Sequence, residues 1–324
     1  MRVGFIGLGN VGGKLGMNLL RAGFDMTVLD LQPELMEPFS ASGADVGESP
    51  SEMAAACDVV ITSLPSPVAS ATVVEGESGL LDGLGPGKVW VEMSTTSRDE
   101  VVRLGTLVRQ AGADAVDCPV SGGCHRAATG NIAIFAGGDR STFERVLPLL
   151  SAMGRQILHT GALGSASVLK VITNYLASAH LVSLGEAFLT AQAAGMDLGT
   201  TFEAIRMSSG NSFVHETEGQ LILNGSRNID FTMDLAVKDL ALFLGLADRA
   251  GLPLEIAPLL VEIFRDGESR YGSREWSTNI VRRLEDATGR QIRAPGFPAE
   301  LVDREPKAPG FEVKSISDAT RMPA

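Results

Sequence analysis

Hydrophobic positions in the first half of the chain fall into short unbroken runs separated by stretches of helical spacing. RVGFIG, at the start, reads as a buried strand. VGGKLGMNLLRAGF then sets Leu15, Leu19 and Leu20 at helical intervals and stops at Gly23. MTVLD is the next strand, DVVITSLP another, ended by Pro65, and KVWVEMST a further one, followed by a helix from about Ser97 to Ala111. ADAVDCPV, NIAIFAG and RQILHT continue the strand-like runs. Strands alternating with helices predict parallel βαβ units and a doubly wound α/β sheet.

Near Thr160 the pattern changes. From Gly164 to about Asp286 strand alternation gives way to helical spacing, and helices are expected over roughly 164–194, 199–208, 212–223, 234–250, 256–268 and 276–284. After Gly289 the segment RAPGFPAELVDREPKAPGFEV is rich in proline and charge, as in an extended arm or a partly disordered segment. The expected organisation is therefore an α/β domain over 1–162, an all-α domain over 163–288 and a tail over 289–324.

A chain of 324 residues fits about two domains. With 44% hydrophobic and 20% charged residues it buries a sizeable core. A net charge of −12 repels phosphate backbones and anionic lipid, so nucleic acid and membrane surfaces are not expected partners. The apolar stretch from Val168 to Gly195 carries Lys170, Asn174, His180 and Glu186, which argues against a membrane span. The three cysteines, Cys57, Cys118 and Cys124, form no C-x-x-C pair, so neither a disulfide framework nor a zinc site is expected. Opening on a strand, the chain is expected to carry no leader and to work in a reducing, cytoplasmic compartment.

The sharpest local signal is Gly7-Leu8-Gly9-Asn10-Val11-Gly12, a G-x-G-x-x-G between a strand and a helix. Glycines there permit a tight turn, close backbone approach to a pyrophosphate and tight helix–strand packing, while the helix N-terminus offers N–H groups to the phosphates. This marks a Rossmann dinucleotide-binding domain. Gly13-Lys14 does not make a P-loop, because Leu15 stands where that motif needs Ser or Thr. Asp30 ends the second strand, 18 residues after Gly12. A carboxylate at that point accepts from both adenosine ribose hydroxyls and repels a 2′-phosphate. With no arginine from Leu31 to Glu37, the expected cofactor is NAD.

Asp117-Cys-Pro-Val-Ser121-Gly122-Gly123 resembles the substrate-binding segment of the β-hydroxyacid dehydrogenases, the family of 3-hydroxyisobutyrate dehydrogenase, with 6-phosphogluconate dehydrogenase as a larger relative. Further motifs agree in order. Gly7–Gly12 matches the cofactor turn, Gly161-Ala-Leu-Gly164 followed by Lys170 and Asn174 the catalytic helix, and Phe231, Leu235 and Lys238-Asp239-Leu240 a late K-D-L segment. The resemblance spans about residues 1–288. It implies cofactor contacts from Gly7, Gly9, Asn10, Val11, Gly12, Asp30, Leu64, Pro65, Thr95 and Lys238, and a substrate carboxylate on Ser121, Gly122 and Gly123. Lys170 is implied as the general acid/base on the carbinol oxygen, with Asn174 orienting the same end of the substrate and no metal needed.

The residues support that assignment independently. Lys170 and Asn174, four apart, share a helix face. A lysine in an apolar helix is costly to bury without a role or partner, and burial moves a lysine toward useful proton transfer. His180 reads as a packed core histidine, and Cys124 as a packed cysteine. Arg126 stands where the family has glycine, Tyr175 where it often repeats asparagine, and Arg98 where it commonly has proline. Arg126, beside His125, is a candidate for recognising a second anionic or polar substrate group, with an exposed pair as the alternative. The expected partner is a small hydroxy acid or its semialdehyde, and the chain is expected to form a homodimer or homotetramer. A non-catalytic NAD sensor would not need Lys170 and the Ser121 loop together. Lys170 argues against an imine reductase, and the short helical half against a decarboxylating phosphosugar dehydrogenase.

Overall fold

The computed structural model describes residues 1–315, so the end of the tail, 316–324, lies outside the described residues. The chain divides into two compact units, one comprising Met1–Lys170 with the chain from Asp303 onward, the other Val171–Val302.

The first unit is built on a ten-stranded sheet with helices on both faces. Its elements run β1 (Arg2–Ile6), α1 (Gly12–Arg21), β2 (Asp25–Leu29), α2 (Pro33–Ser40), β3 (Asp45–Val46), α3 (Pro50–Ala56), β4 (Val59–Thr62), α4 (Pro67–Glu75), β5 (Val89–Glu92), α5 (Arg98–Gln110), β6 (Asp114–Asp117), β7 (Val120–Ser121), α6 (Cys124–Thr129), β8 (Ile132–Gly137), α7 (Arg140–Met153) and β9 (Gly154–Gly161). The helix α8 (Ser165–Ala193) begins in this unit. With β10 (Phe311–Val313), the spatial order is β10-β9-β8-β6-β5-β4-β1-β2-β3, which contains the run 3-2-1-4-5-6 of a Rossmann domain. Its strand order reverses between β1 and β4, the position at which such sheets bind ligands.

Continuous apolar runs form the central strands because both faces are covered: β1, β4 and β5 are buried almost throughout. One face carries Phe5, Leu15, Leu19, Val28 and Phe143, the other Met53, Leu80, Trp90 and Leu104. Helices start at polar caps. Ser49, Ser66 and Ser97 each accept an N–H from the first turn of the helix that follows.

Three expectations are corrected in this unit. The sheet is mixed: β8 pairs antiparallel with β6 and β7, then parallel with β9. Between β6 and β8 the chain forms β7, which pairs antiparallel with β8, and the short helix α6, and so doubles back instead of crossing over. Second, the tail is not a separate segment. Residues 289–302 belong to the second unit, where Ile292 is fully buried. From Asp303 the described chain belongs to the first unit and forms β10 (Phe311–Val313), parallel to β9. The division also falls inside α8 rather than at 162/163, because the first turns of that helix are bonded to β6, as shown below.

The second unit is all-α. It holds the remainder of α8, then α9 (Leu198–Arg206), α10 (Phe213–Glu216), α11 (Glu218–Asn224), α12 (Met233–Arg249), α13 (Ile256–Tyr271), a 3₁₀ turn (Ser277–Val281) and α14 (Arg282–Thr288). Phe188, Phe202, Met233, Leu240, Phe264 and Ile280 share its core. The helix expected over 212–223 is broken at Thr217. His180 is exposed rather than packed, which corrects its expected role. Among the described residues no helix is long and apolar enough to cross a membrane.

Candidate active site

The turn after β1 is shaped by its glycines. A Cβ on Gly7, at φ 93°, would meet the Ser63 carbonyl oxygen at 2.3 Å, and one on Gly12 would meet the Gly7 oxygen at 2.0 Å. Gly9 has nothing within 4 Å of its absent Cβ, leaving space against the backbone. Gly9 and Asn10 are exposed and Val11 is half-buried at the start of α1. Two glycines thus close the turn and the third keeps one side open, a cradle that fits a dinucleotide pyrophosphate.

Asp30 lies beside this cradle. Its carboxylate accepts the Leu8 N–H at 2.6 Å and the Gln32 N–H at 2.9 Å. It therefore joins the end of β2 to the glycine turn, with its position fixed before any ribose hydroxyl arrives. Across the strand-order reversal, Leu64 and Pro65 follow β4. The Leu64 N–H donates to Ser94 Oγ at 2.7 Å, and the Ser94 N–H to Glu92 Oε1 at 2.8 Å. Glu92 is fully buried at the end of β5, and burial pushes its carboxyl up despite the serine and threonine donors around it. The Ser94 hydroxyl thus joins the Leu64–Pro65 turn to the Ser94–Thr95 turn, and Glu92 fixes the Ser94 backbone; sequence reasoning missed this carboxyl because its burial shows only in the packed fold.

Ser121, the last residue of β7, and Gly122 and Gly123 in the loop that follows are all half-buried. Gly122 and Gly123 take φ values of 131° and 86°, unfavourable for residues with a Cβ, and Gly123 leads directly into α6. At the base of the loop stands Asp117, fully buried. One carboxylate oxygen accepts the Gly164 N–H at 2.8 Å. The other accepts the Ser167 N–H at 2.7 Å and the Ser167 hydroxyl at 2.8 Å. Burial pushes its carboxyl up while these donors pull it down. Asp117 thereby satisfies orphan N–H groups of the first turn of α8. Lys170, only 8% exposed, follows Ser167 on that helix. The strand leading to the Ser121–Gly123 loop and the helix of Lys170 are thus joined through one carboxylate inside one unit. Asp117 was in the quoted motif, but only its contacts give it this role.

In the second unit Asn174 Nδ2 donates to Asp239 Oδ2 at 2.6 Å, and Lys238 Nζ pairs with Asp239 Oδ1 at 2.8 Å. The late K-D-L segment and the α8 asparagine are therefore one bonded cluster centred on buried Asp239. Tyr175, which replaces a family asparagine, stacks on Phe243 with ring centroids 4.2 Å apart. Arg98 occupies the first position of α5, where proline is tolerated because its missing N–H is not needed, so arginine there costs nothing structural.

Arg126 has a partner within the chain: its guanidinium donates to Glu305 of the tail at 3.0 Å. Burial, then the neighbouring Arg126, hold the His125 imidazole below its usual pKa. Cys124 is buried, as expected.

Comparison with known proteins accords with this arrangement. Residues 2–161 match the family model of the NAD binding domain of 6-phosphogluconate dehydrogenase. Residues 164–284 match that described as NAD-binding of NADP-dependent 3-hydroxyisobutyrate dehydrogenase, so the matched region ends before the tail. The chain is 33% identical over 290 residues to 2-(hydroxymethyl)glutarate dehydrogenase of Eubacterium barkeri, covering 89% of this chain and 96% of that protein. It is 31% identical to L-threonate dehydrogenase of Cupriavidus necator, over 81% of this chain and 89% of that one. A solved 3-hydroxyisobutyrate dehydrogenase from Salmonella typhimurium superposes with a TM-score of 0.80 at 26% identity, over 87% of this chain and 99% of that one. A glycine turn built for a dinucleotide, a carboxylate-anchored lysine helix and these relatives lead to one conclusion: the chain belongs to the β-hydroxyacid dehydrogenase family and is a nicotinamide-dependent oxidoreductase acting on the CH–OH group of a hydroxy acid.

Proposed function

We propose that the enzyme interconverts a small β-hydroxy acid of the 3-hydroxyisobutyrate type and its semialdehyde, with NAD rather than NADP. The observation that carries this reading is the bonding of Asp117 to Gly164 and Ser167, which ties the helix of Lys170 to the strand leading into the Ser121–Gly123 loop. The loop offers N–H groups and a hydroxyl to the substrate carboxylate. Lys170 holds the carbinol oxygen and takes its proton during oxidation, and its ammonium neutralises charge developing on that oxygen. In the reverse direction it returns the proton to the aldehyde oxygen. Asn174, oriented by Asp239, fixes the same end of the substrate, and Lys238 serves the cofactor side. Gly7, Gly9, Asn10, Val11 and Gly12 hold the pyrophosphate and Asp30 the adenosine ribose, with Leu64, Pro65 and Thr95 beside the nicotinamide. When bound, the nicotinamide accepts or returns the hydride.

Three buried, unbridged cysteines favour a reducing, cytoplasmic setting, and the substrate is read as the sole partner apart from further copies of this chain. The test is a panel of small hydroxy acids and semialdehydes, including hydroxylated and dicarboxylic ones, assayed with NAD(H) and NADP(H) at the nicotinamide absorbance. Turnover of at least one β-hydroxy acid with NAD, abolished by Lys170→Ala, is the expected result. Activity confined to α-hydroxy acids, or undiminished in the variant, contradicts the assignment.

A further inference from the structure

Beyond the region matched by the family models, the tail returns to the first unit and grips one short helix. The Asp303 carboxylate accepts from the Thr129 hydroxyl and, at 2.7 Å, from Asn131 Nδ2. Asn131 Nδ2 also donates to the Glu305 backbone oxygen at 2.9 Å, and Arg126 donates to the Glu305 side chain at 3.0 Å. The turn is held in shape by the Glu305 N–H, which donates to the second Asp303 oxygen at 3.0 Å. All three gripped residues lie on α6 or immediately after it. The chain then runs on as a strap. Lys307 Nζ reaches Asn18 Oδ1 at 3.4 Å, the Gly310 N–H donates to the Ser151 oxygen, and Glu312 takes a bidentate pair from Arg140.

Helix α6 is six residues long, too short to be stable through its own hydrogen bonds. Its N-terminal neighbours are Gly122 and Gly123, the most permissive residues available, and they separate α6 from Ser121, which pairs with Ala133 of β8. On one side α6 is fixed by Asn18 of α1, whose amide donates to the Ala127 oxygen at 2.7 Å. On the other, the fixing groups come from Asp303 and Glu305.

We propose that the Asp303–Glu305 turn is a positioning element for the reaction, clamping α6 so that the Ser121–Gly123 loop presents its N–H groups to the substrate carboxylate in one geometry. This rests on the reading of that loop as the substrate loop. Asp303 and Glu305 act through α6 and are positioning residues, not catalytic ones. The clamp also gives Arg126 a structural task, consistent with its replacing a family glycine in a chain that carries the strap.

The test uses the full chain with Asp303→Ala, Glu305→Gln and Asp303→Asn, the last keeping one acceptor oxygen. Hydrogen exchange at 124–131 and the kinetics of the best panel substrate are measured beside NAD affinity. Asp303→Ala is expected to speed exchange at 124–131 and to raise KM for the hydroxy acid about tenfold, the loss of a charge-assisted contact, with kcat and NAD affinity nearly unchanged. Glu305→Gln gives a smaller change in the same direction, and Asp303→Asn restores most of the loss. Unaltered exchange at 124–131 overturns the clamp. Faster exchange with unmoved KM, while Ser121→Ala raises KM, overturns positioning. If Ser121→Ala also leaves KM unmoved, the substrate-loop reading fails, and the clamp's role in the reaction with it.

Discussion

Asp117 bonds Ser167 twice, taking its N–H at 2.7 Å and its hydroxyl at 2.8 Å on a single carboxylate oxygen. A strand end and a helix start 50 residues apart in the chain are thereby fixed in register. Replacement by alanine strands buried donors, each charge-assisted bond being worth roughly 1.5–3 kcal/mol. Asp117→Ala should lower the melting temperature and reduce kcat more than NAD affinity. A melting curve and kinetics on the same preparation decide it, and full stability with full kcat would refute the anchoring role.

Lys170→Ala should cost about 10²- to 10⁴-fold in turnover, the usual effect of losing a general acid–base. NAD affinity, measured by quenching of protein fluorescence, should be nearly unchanged. Turnover close to that of the parent would remove Lys170 from the mechanism.

The proposed preference for NAD rests on Asp30. Its Leu8 and Gln32 contacts hold the carboxylate where a 2′-phosphate would meet like charge. Asp30→Ser should weaken NAD and narrow the gap to NADP. Side-by-side kcat/KM values for the two cofactors check this, and a parent enzyme that prefers NADP would contradict it.

Arg126 yields a prediction different from the one its sequence position suggests. If its contact with Glu305 is the one that matters, Arg126→Gly should raise KM by a similar factor for acids with and without a second polar group. A loss confined to dicarboxylic or hydroxylated acids would instead return Arg126 to direct substrate recognition.

The strap gives a pH signature. Arg140 and, less strongly, Lys314 hold the Glu312 carboxyl down to about 2, below the ordinary glutamate value of 4.5. A depressed carboxylate stabilises the fold fully above its unfolded pKa and loses that contribution as pH falls through its folded one. The melting-temperature difference between parent and Glu312→Gln should therefore be constant above about pH 5.5 and shrink as pH falls from 4.5 toward 2. A difference that persists undiminished at the acid end would show that the Glu312 charge is not what is being measured.

By itself the sequence determined what is encoded locally. Unbroken apolar runs marked β1, β4 and β5 because strands covered on both faces need no polar side. Gly7, Gly9 and Gly12 marked the cofactor turn because close backbone approach leaves only glycine, and helical spacing in the second half marked the α-domain. What only the tertiary structure decided depends on partners far away in the chain. The reversal of β8, the addition of β10 beside β9, the buried carboxyls of Glu92, Asp117 and Asp239, and the pairing of Arg126 with Glu305, 179 residues later, leave no periodic trace. A hydrogen bond between distant residues changes neither the spacing nor the hydropathy around either one. Burial then decides whether a carboxylate is a solvated turn residue or the anchor of a helix, and burial exists only once the chain has packed.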